Sequence, residues 1–541
     1  MRKTSTSGSD PAEEPISVHY RLGREALAEG RLDAAIASLE RAIEARHDHV
    51  DAIVALGEAY QARGEAEDAY DQFRLALAFD PACAGAHVGL GRLLRSDARH
   101  EESEQHLRSA LSAAPALKEA WLELGLTLTR RNQVADAAAA YQRAIELDPA
   151  CAEACINLGL VYLTHEGDAR QAESWFLRAC EGLPRLPAAH VNLGLALQEQ
   201  GRVADALEVY EAALSRWPES ADLRWHRATA LLLRGDYARG FTDYEARKLI
   251  SGGAIHRQFP YPEWQGESLA GRSLLVYAEQ GVGDEIMFAS CVPDLVRRGA
   301  QCVIECAPRL APLFARSFPT AAVQGSARDG KREWLAAFPG IEIQSAIGSL
   351  PRYLRARAED FPATAGYLKP AAGRVTHWRT ALDSLGPGIK VGLAWRGGTE
   401  KTRKRLRSLA LAQCRPLLEM DGTRFVSLQY GATEAREEEG HPRLALAARP
   451  EALADIDETA ALIAALDLVL TVDSTIAHLA GALGRPVWIL LPAAPEWRWG
   501  QAGEATPWYP TARLFRQARP GDWDEPIGRI VSGIRSGYSL R

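Results

Sequence analysis

Apolar runs long enough to cross a membrane are absent from this chain, and residues 1–15 are polar without an apolar centre. A membrane-spanning helix needs about 20 mostly apolar residues, and a secretory signal needs an apolar segment near its start. These absences argue against an integral membrane protein. They predict a cytoplasmic protein with no membrane span, in which residues 1–14 form a disordered tail.

The chain also lacks a large excess of charge of either sign, and it has few cysteines. The sequence has 63 Lys and Arg against 70 Asp and Glu, so it offers no field that would attract nucleic acid. Its eight cysteines lie in apolar surroundings, as expected of core thiols in a reducing compartment. The pairs Cys151/Cys155 and Cys302/Cys306 lack the two further ligands of a zinc site. We therefore predict no nucleic-acid partner and no metal.

A repeat of 34 residues is the strongest regularity in the chain. It is marked by glycines at 23, 57, 91, 125, 159 and 194, with one spacing of 35. Small and aromatic residues recur in step with them; around Gly57 these are Leu56, Tyr60, Ala69, Phe73, Ala76 and Pro81. This pattern is typical of tetratricopeptide (TPR) repeats, in which small residues allow two helices of a hairpin to pack closely.

The repeats predict an α-helical solenoid of six units over residues 15–218, followed by a capping repeat over 219–250. The fifth unit carries an extra residue near Gly167, which fits a loop between its helices. Terminal units of solenoids are often irregular because they cover an apolar face. Such arrays bind extended or helical peptides in a concave groove, so a protein partner is expected there.

Beyond a linker over residues 251–270, short apolar runs alternate with glycine-rich turns, which predicts α/β structure. We expect two Rossmann-like lobes, over residues 271–385 and 386–541, with a ligand in the cleft between them. The predicted strands are 273–278, 301–306, 340–344, 390–394, 424–429, 466–472 and 487–491.

The clearest candidate for a binding site follows the predicted strand 466–472. Asp473 and Ser474 turn the chain, Ser474 or Thr475 can cap a short helix, and Gly484 with Pro486 ends it. The amino terminus of a helix at the end of a parallel strand favours phosphate. His478 lies one helical turn further on. The alternatives are a βαβ unit without a ligand and a histidine packed in the core.

Three further clusters carry chemically useful side chains, each with a structural alternative. A glycine-rich turn after the first strand is followed by carboxylates that either act in catalysis or favour the first turn of a helix. A cationic run after strand 390–394 either contacts phosphate or is a solvated loop. Aromatic rings near the end of the chain either stack on a sugar or base or belong to the core. The residues concerned are Gly281, Gly283, Asp284 and Glu285; Trp395, Arg396, Lys401 and Arg405; and Trp497, Trp499 and Trp508.

Together these segments resemble bacterial TPR glycosyltransferases whose catalytic half is related to the heptosyltransferases and has the GT-B fold. The resemblance rests on residues 279–285, 395–408, 467–486, 497–499 and 508–517. It implies transfer of a sugar from a nucleotide-sugar donor, with inversion and without an obligatory metal or other cofactor.

The resemblance also implies roles for individual residues. Asp284 matches the proposed base of the family, while Asp473, Ser474, Thr475 and His478 match its donor-phosphate segment. Relatives commonly have glycine after the Asp-Ser/Thr pair, where this chain has Thr475 and Ile476, so the donor is not carried over. Some relatives modify flagellin, which makes flagellin the leading expected acceptor. The alternatives are a non-catalytic scaffold that binds a nucleotide, and transfer to a lipid or polysaccharide.

Overall fold

Two kinds of architecture follow one another along the chain in a computed structural model. The structure describes residues 13–183, 186–250, 257, 259–363, 365–398, 404–429, 444–447 and 454–537. By compactness the chain divides into two units, Met1–Ala196 and Leu197–Arg541. Among the described residues, no helix combines the length and the apolar character that a membrane crossing requires.

The first twelve helices form six antiparallel pairs, in agreement with the TPR pattern. Their bounds are α1 Glu13–Ala28, α2 Leu32–Ala45, α3 Val50–Arg63, α4 Ala66–Phe79, α5 Ala84–Ser96, α6 His100–Ala113, α7 Lys118–Arg130, α8 Val134–Leu147, α9 Ala152–Val161, α10 Ala169–Gly182, α11 Pro187–Glu199 and α12 Val203–Arg216. A π-helical turn, Tyr162–Glu166, absorbs the extra residue of the fifth pair.

Close packing explains the glycine positions. A Cβ atom at Gly57 of α3 would lie 2.7 Å from the Phe73 ring on α4, and one at Gly89 of α5 would lie 2.4 Å from the same ring. The Phe73 side chain therefore fills the space between its own helical pair and the next one. The repeated small residues are a steric requirement of this stacking.

The cap follows α12 and belongs to the second compact unit. It consists of α13 Ala221–Arg234, α14 Tyr237–Asp243 and a 3-10 helix, Tyr244–Lys248. We call this 3-10 helix the cap segment.

The first lobe contains a parallel sheet of strand order β3-β2-β1-β4. Its elements are β1 Ser273–Tyr277, α15 Val282–Phe288, α16 Val292–Arg297, β2 Gln301–Cys306, α17 Ala311–Ser317, β3 Ala322–Gly325, β4 Ile343–Ala346 and α18 Pro351–Leu354. The four strands are short, and β1 is buried along most of its length, as is usual for a central strand of a parallel sheet.

The second lobe contains a parallel sheet of order β10-β9-β8-β5-β6-β7. Its elements are α19 Ala372–Asp383, β5 Ile389–Ala394, α20 Arg415–Leu418, β6 Thr423–Ser427, β7 Leu444–Ala447, α21 Ile456–Ala465, β8 Leu468–Val472, α22 Thr475–Ala482, β9 Val487–Leu491, β10 Ala512–Arg516 and α23 Asp524–Arg535. Counted within the lobe, the strand order is 3-2-1-4-5-6, the doubly wound Rossmann arrangement. The predicted fold class is therefore confirmed, as a helical TPR array followed by two Rossmann-like lobes.

Candidate functional site

The order of strands in the second lobe locates a binding crevice. The chain starts at β5, builds the sheet outward in one direction, and then returns to β8 on the other side of β5. Ligands of such sheets bind at this switch point, beyond the carboxyl ends of the two strands. A Cβ atom at Gly397, after β5, would lie 2.3 Å from the carbonyl oxygen of Asp473, after β8. The two loops therefore meet at the switch point.

The helix α22 begins at this crevice. Its N-cap residue is Ser474, whose hydroxyl forms a 3.0 Å hydrogen bond with the Thr471 hydroxyl and does not cap the helix amides. The carboxylate of Asp473 is buried and accepts a 2.7 Å hydrogen bond from Nη1 of Arg407. The charge of Arg407 is paired with Asp473, so the free amides at the amino terminus of α22 are the groups here that favour a phosphate.

The imidazole of His478 lies on the next turn of α22. Its Nδ1 is 2.9 Å from the Tyr509 hydroxyl, and its ring stacks on Trp499 with centroids 5.1 Å apart. Burial lowers the pKa of His478 to about 4, against the smaller opposing effect of Asp473. The imidazole is therefore neutral near pH 7, and it contributes a hydrogen-bonding nitrogen and no charge.

The first lobe contributes Asp284, in the first turn of α15. Its Oδ1 accepts hydrogen bonds from Nε of Arg498 at 3.1 Å and from Nη2 of the same guanidinium. Arg498 comes from the second lobe and also packs over the Trp497 ring, 4.8 Å from its centroid. A Cβ atom at Gly283 would lie 3.1 Å from Cδ2 of His478. Residues of both lobes thus meet around the Asp284 carboxylate, which remains partly exposed.

The neighbouring carboxylate, Glu285, has a structural role. It is fully buried, it pairs with Arg328, and its Oε2 accepts a 2.9 Å hydrogen bond from the Ala307 amide. Burial raises the pKa of Glu285. Of the two carboxylates predicted after β1, Asp284 alone reaches the second lobe in the part of the chain that the structure describes.

The structure brings most of the predicted phosphate-site residues to the two switch-point loops. In the loop after β5, the amides of Trp395 and Arg396 donate to Oε1 of Gln429 at 3.1 and 2.9 Å. Gly281 lies in the first lobe, where it precedes α15. Lys401 lies outside the described residues. Arg405 is exposed, whereas Arg407 of the same cationic run contacts Asp473.

For the tryptophans near the end of the chain, the structure favours the core alternative. The rings of Trp497, Trp499 and Trp508 are buried at 6%, 0% and 2% exposure. They contact other aromatic side chains; the rings of Trp508 and Phe361, for example, meet edge to face with centroids 4.8 Å apart. Buried in this way, the rings offer no open face to a sugar or base, and two of them contact site residues, Trp499 the His478 ring and Trp497 the Arg498 guanidinium. The Trp395 ring is likewise fully buried in the core of the second lobe, so only its backbone faces the loop.

Sequence reasoning missed the partners of the predicted residues. Arg498 and Arg407 pair with Asp284 and Asp473, and Tyr509 holds His478. Arg498, Arg407 and Tyr509 lie in segments whose only sequence signal is their aromatic or cationic composition. Within the described residues, no group of three or more His, Cys, Asp or Glu side chains is placed to hold a metal ion.

Comparison with known proteins identifies families for both parts of the chain. Residues 26–87, 122–187 and 191–252 match tetratricopeptide repeat families. Residues 431–520, which include Asp473, His478 and Arg498, match Glycosyltransferase family 9 (heptosyltransferase). The chain combines tetratricopeptide repeats with a segment that matches the family 9 glycosyltransferases.

Similar proteins are found among both curated proteins and solved structures. Protein FlbA of Caulobacter vibrioides is 34% identical over an alignment of 396 residues that covers 69% of this chain and 65% of FlbA. The match thus spans less than two thirds of that relative. Pseudomonas aeruginosa PilF is 20% identical and covers 40% of this chain and 99% of its own, with a TM-score of 0.36. PilW, a type IV pilus biogenesis factor, is 21% identical and covers 40% and 98%, with a TM-score of 0.36.

Proposed function

We propose that the protein transfers a sugar from a nucleotide-sugar donor to a protein acceptor bound by the TPR array. The observation that carries this proposal is the meeting of Asp284, from the first lobe, with Arg498, beside the buried Asp473 and His478 of the family 9 domain. A carboxylate thus stands next to a site suited to phosphate, and each group comes from a different lobe. This arrangement resembles that of GT-B enzymes.

In the proposed reaction, an acceptor hydroxyl attacks the anomeric carbon of the donor. Asp284 takes the hydroxyl proton, the new bond forms from oxygen to the anomeric carbon, and the bond from that carbon to phosphate breaks. The nucleotide leaves with the electron pair, stabilised by the amino terminus of α22 and by Arg407. Attack opposite the leaving group inverts the anomeric centre, and this route needs no metal.

The neutral state of His478 suits a hydrogen bond to the donor. Its Nδ1 is held by the Tyr509 hydroxyl, which leaves Nε2 as the nitrogen for a ligand. Gly283 of the first lobe lies against the same ring, so a substituent there would interfere with the approach of the two lobes. We propose that His478 orients the donor phosphate or sugar by a hydrogen bond.

Thermal stabilisation of the full-length protein by a panel of nucleotides and nucleotide sugars tests the donor site. A ligand at about 100 times its dissociation constant should stabilise the folded protein by roughly 2.7 kcal/mol. We expect one nucleotide class to give this shift, and Ser474→Ala and His478→Gln to weaken it. The control is Ser532→Ala, on the exposed side of α23. If no nucleotide stabilises the protein, a scaffold that assembles partners becomes the better account.

The acceptor is proposed to be a protein, with flagellin as the first candidate to test. TPR arrays bind peptides, which supports a protein over a lipid or polysaccharide. The second compact unit begins at Leu197, so a truncation that tests docking should end before α11. We expect such a truncation to keep donor hydrolysis and to lose transfer to protein. Unchanged protein labelling by the truncated enzyme would exclude docking on the removed repeats, and a labelled lipid or polysaccharide would identify another acceptor class.

A further inference from the structure

The crevice at the switch point of the first lobe is filled by the chain itself. In the sheet of order β3-β2-β1-β4, the chain reverses between β1 and β4, so a ligand crevice is expected beyond the ends of these two strands. Glu279 follows β1, and Gly348 and Ser349 follow β4. The cap segment, Tyr244–Lys248, lies against these residues, so the last TPR-like unit occupies the place where a ligand would be expected.

Arg247 anchors the cap segment in this crevice. Its side chain is 0% exposed, and its guanidinium donates to Oε1 of Glu279 at 2.6 and 3.1 Å and to the Ser349 hydroxyl at 2.9 Å. The same Glu279 oxygen accepts a 3.1 Å hydrogen bond from the Gly348 amide. One buried guanidinium thus joins the loop after β1 to the loop after β4.

Tyr244 holds the next residue of the loop. Its hydroxyl donates to Oε1 of Gln280 at 3.0 Å, and its ring is fully buried. The main-chain oxygen of Gln280 accepts a 2.6 Å hydrogen bond from Nη1 of Arg328. Gln280 is therefore fixed through its side chain by the cap and through its backbone by the first lobe.

The loop fixed in this way leads directly to Asp284. Gly281 is the N-cap residue of α15, and its carbonyl accepts a 3.0 Å hydrogen bond from the Glu285 amide, which closes the turn containing Asp284. The Tyr244 ring also packs against Trp497, with centroids 5.5 Å apart, and Trp497 lies under Arg498. The cap segment thus contacts the supports of both members of the Asp284–Arg498 pair.

We infer that Tyr244 and Arg247 are positioning residues of the active centre: the end of the repeat array sets the conformation of residues 279–284 and thereby the place of Asp284. The expected effect on catalysis rests on the proposed function, whereas the expected effect on the conformation of residues 279–284 does not depend on any donor. The cap is then part of the catalytic unit, and a boundary at residue 250 would separate Asp284 from the residues that position it.

The test is Tyr244→Phe in the full-length protein, which removes one hydroxyl and keeps the buried ring. Tyr210→Phe is the matched control, because the Tyr210 hydroxyl is also buried and accepts a 2.8 Å hydrogen bond from Gln198 among the repeats. Amide hydrogen exchange of the segment Gly281–Phe288 should become about 2- to 10-fold faster in Tyr244→Phe, as expected for the loss of one hydrogen bond. Tyr210→Phe should leave this segment unchanged. Identical exchange in Tyr244→Phe and the wild type would overturn the inference.

A kinetic measurement separates positioning from a general loss of stability. With the donor found by the nucleotide-sugar panel, Tyr244→Phe should lower kcat about 3- to 10-fold and leave KM for the donor unchanged. Arg247→Lys, which keeps the charge but loses the two-pronged contact with Glu279, should act in the same direction. A raised KM with unchanged kcat would contradict positioning of Asp284. If the panel shows no turnover, the proposed function fails, while hydrogen exchange still decides whether the cap orders this loop.

Discussion

Replacing His478 by glutamine tests whether the imidazole at the phosphate site is buried and neutral, through the pH dependence of the free energy of unfolding. Burial lowers the pKa of the His478 imidazole from 6.5 to about 4. Between these values the unfolded chain binds a proton that the folded chain does not take up. The folded state therefore loses stability as the pH falls from about 6.5 towards about 4, and above that window the histidine has no effect on the pH dependence.

The size of the effect follows from the two pKa values. With 6.5 for the unfolded chain and about 4 for the folded one, the linkage relation gives a loss of about 2 kcal/mol between about pH 7.5 and about pH 5. Glutamine does not titrate, and its amide can replace the hydrogen bond to Tyr509. The free energy of unfolding of His478→Gln should therefore fall by about 2 kcal/mol less than that of the wild type over this interval.

Urea unfolding of the full-length protein at both pH values measures this difference. His226→Gln provides a matched control, because burial lowers the pKa of His226 in the cap to about 4 as well. It should show the same relief at low pH but leave nucleotide binding intact, whereas His478→Gln should weaken binding. Equal pH dependence of unfolding in the wild type and in His478→Gln would refute a buried neutral imidazole at this position.

Two further substitutions address the switch point of the second lobe. Arg407→Met leaves the Asp473 carboxylate buried without its cation, so it should cost about 3–5 kcal/mol of unfolding free energy. The double variant Arg407→Met with Asp473→Asn should recover much of that loss. A cost of Arg407→Met below about 1 kcal/mol would mean that the ion pair is dispensable. Gly397→Ala would place a Cβ atom 2.3 Å from the Asp473 carbonyl oxygen, so it should cost about 1–3 kcal/mol and weaken nucleotide binding. Gly373→Ala, where no atom lies within 4 Å of the added methyl group, should be neutral or stabilising in the same urea titration, and equal behaviour of the two alanine variants would contradict the close contact.

The repeats and the buried strands could be predicted because their signals are local. A helical pair places Gly57 against Phe73 within one repeat, and strands such as Val487–Leu491 are continuous apolar runs. The strands β3, β7 and β10 were missed, and all three lie at sheet edges. For β3 and β10, pairing on one side only tolerates polar residues, which interrupt the apolar signal. The half-buried run Ala322–Gly325 and the alternating run Ala512–Arg516 have no continuous apolar stretch.

The candidate site was predicted in part, where its residues lie in local sequence patterns. Asp284 and His478 were found because each stands in a recognisable strand-to-helix turn. Arg498 is 214 positions from Asp284, and no local spacing predicts that the two meet. For the tryptophans, the sequence left ligand stacking and core packing both open, because composition does not distinguish an exposed ring from a buried one. The packing of Trp497 against Tyr244 of the cap depends on the tertiary fold.

The central claim is that Asp284 removes a proton from the acceptor during sugar transfer. The most direct test compares the wild type with Asp284→Asn, following nucleotide release and acceptor labelling with the donor that stabilises the protein. Asparagine keeps the size of the side chain but cannot take up the proton. The account predicts turnover lowered by roughly 10²- to 10⁴-fold, with donor binding retained. Full turnover by Asp284→Asn would contradict it.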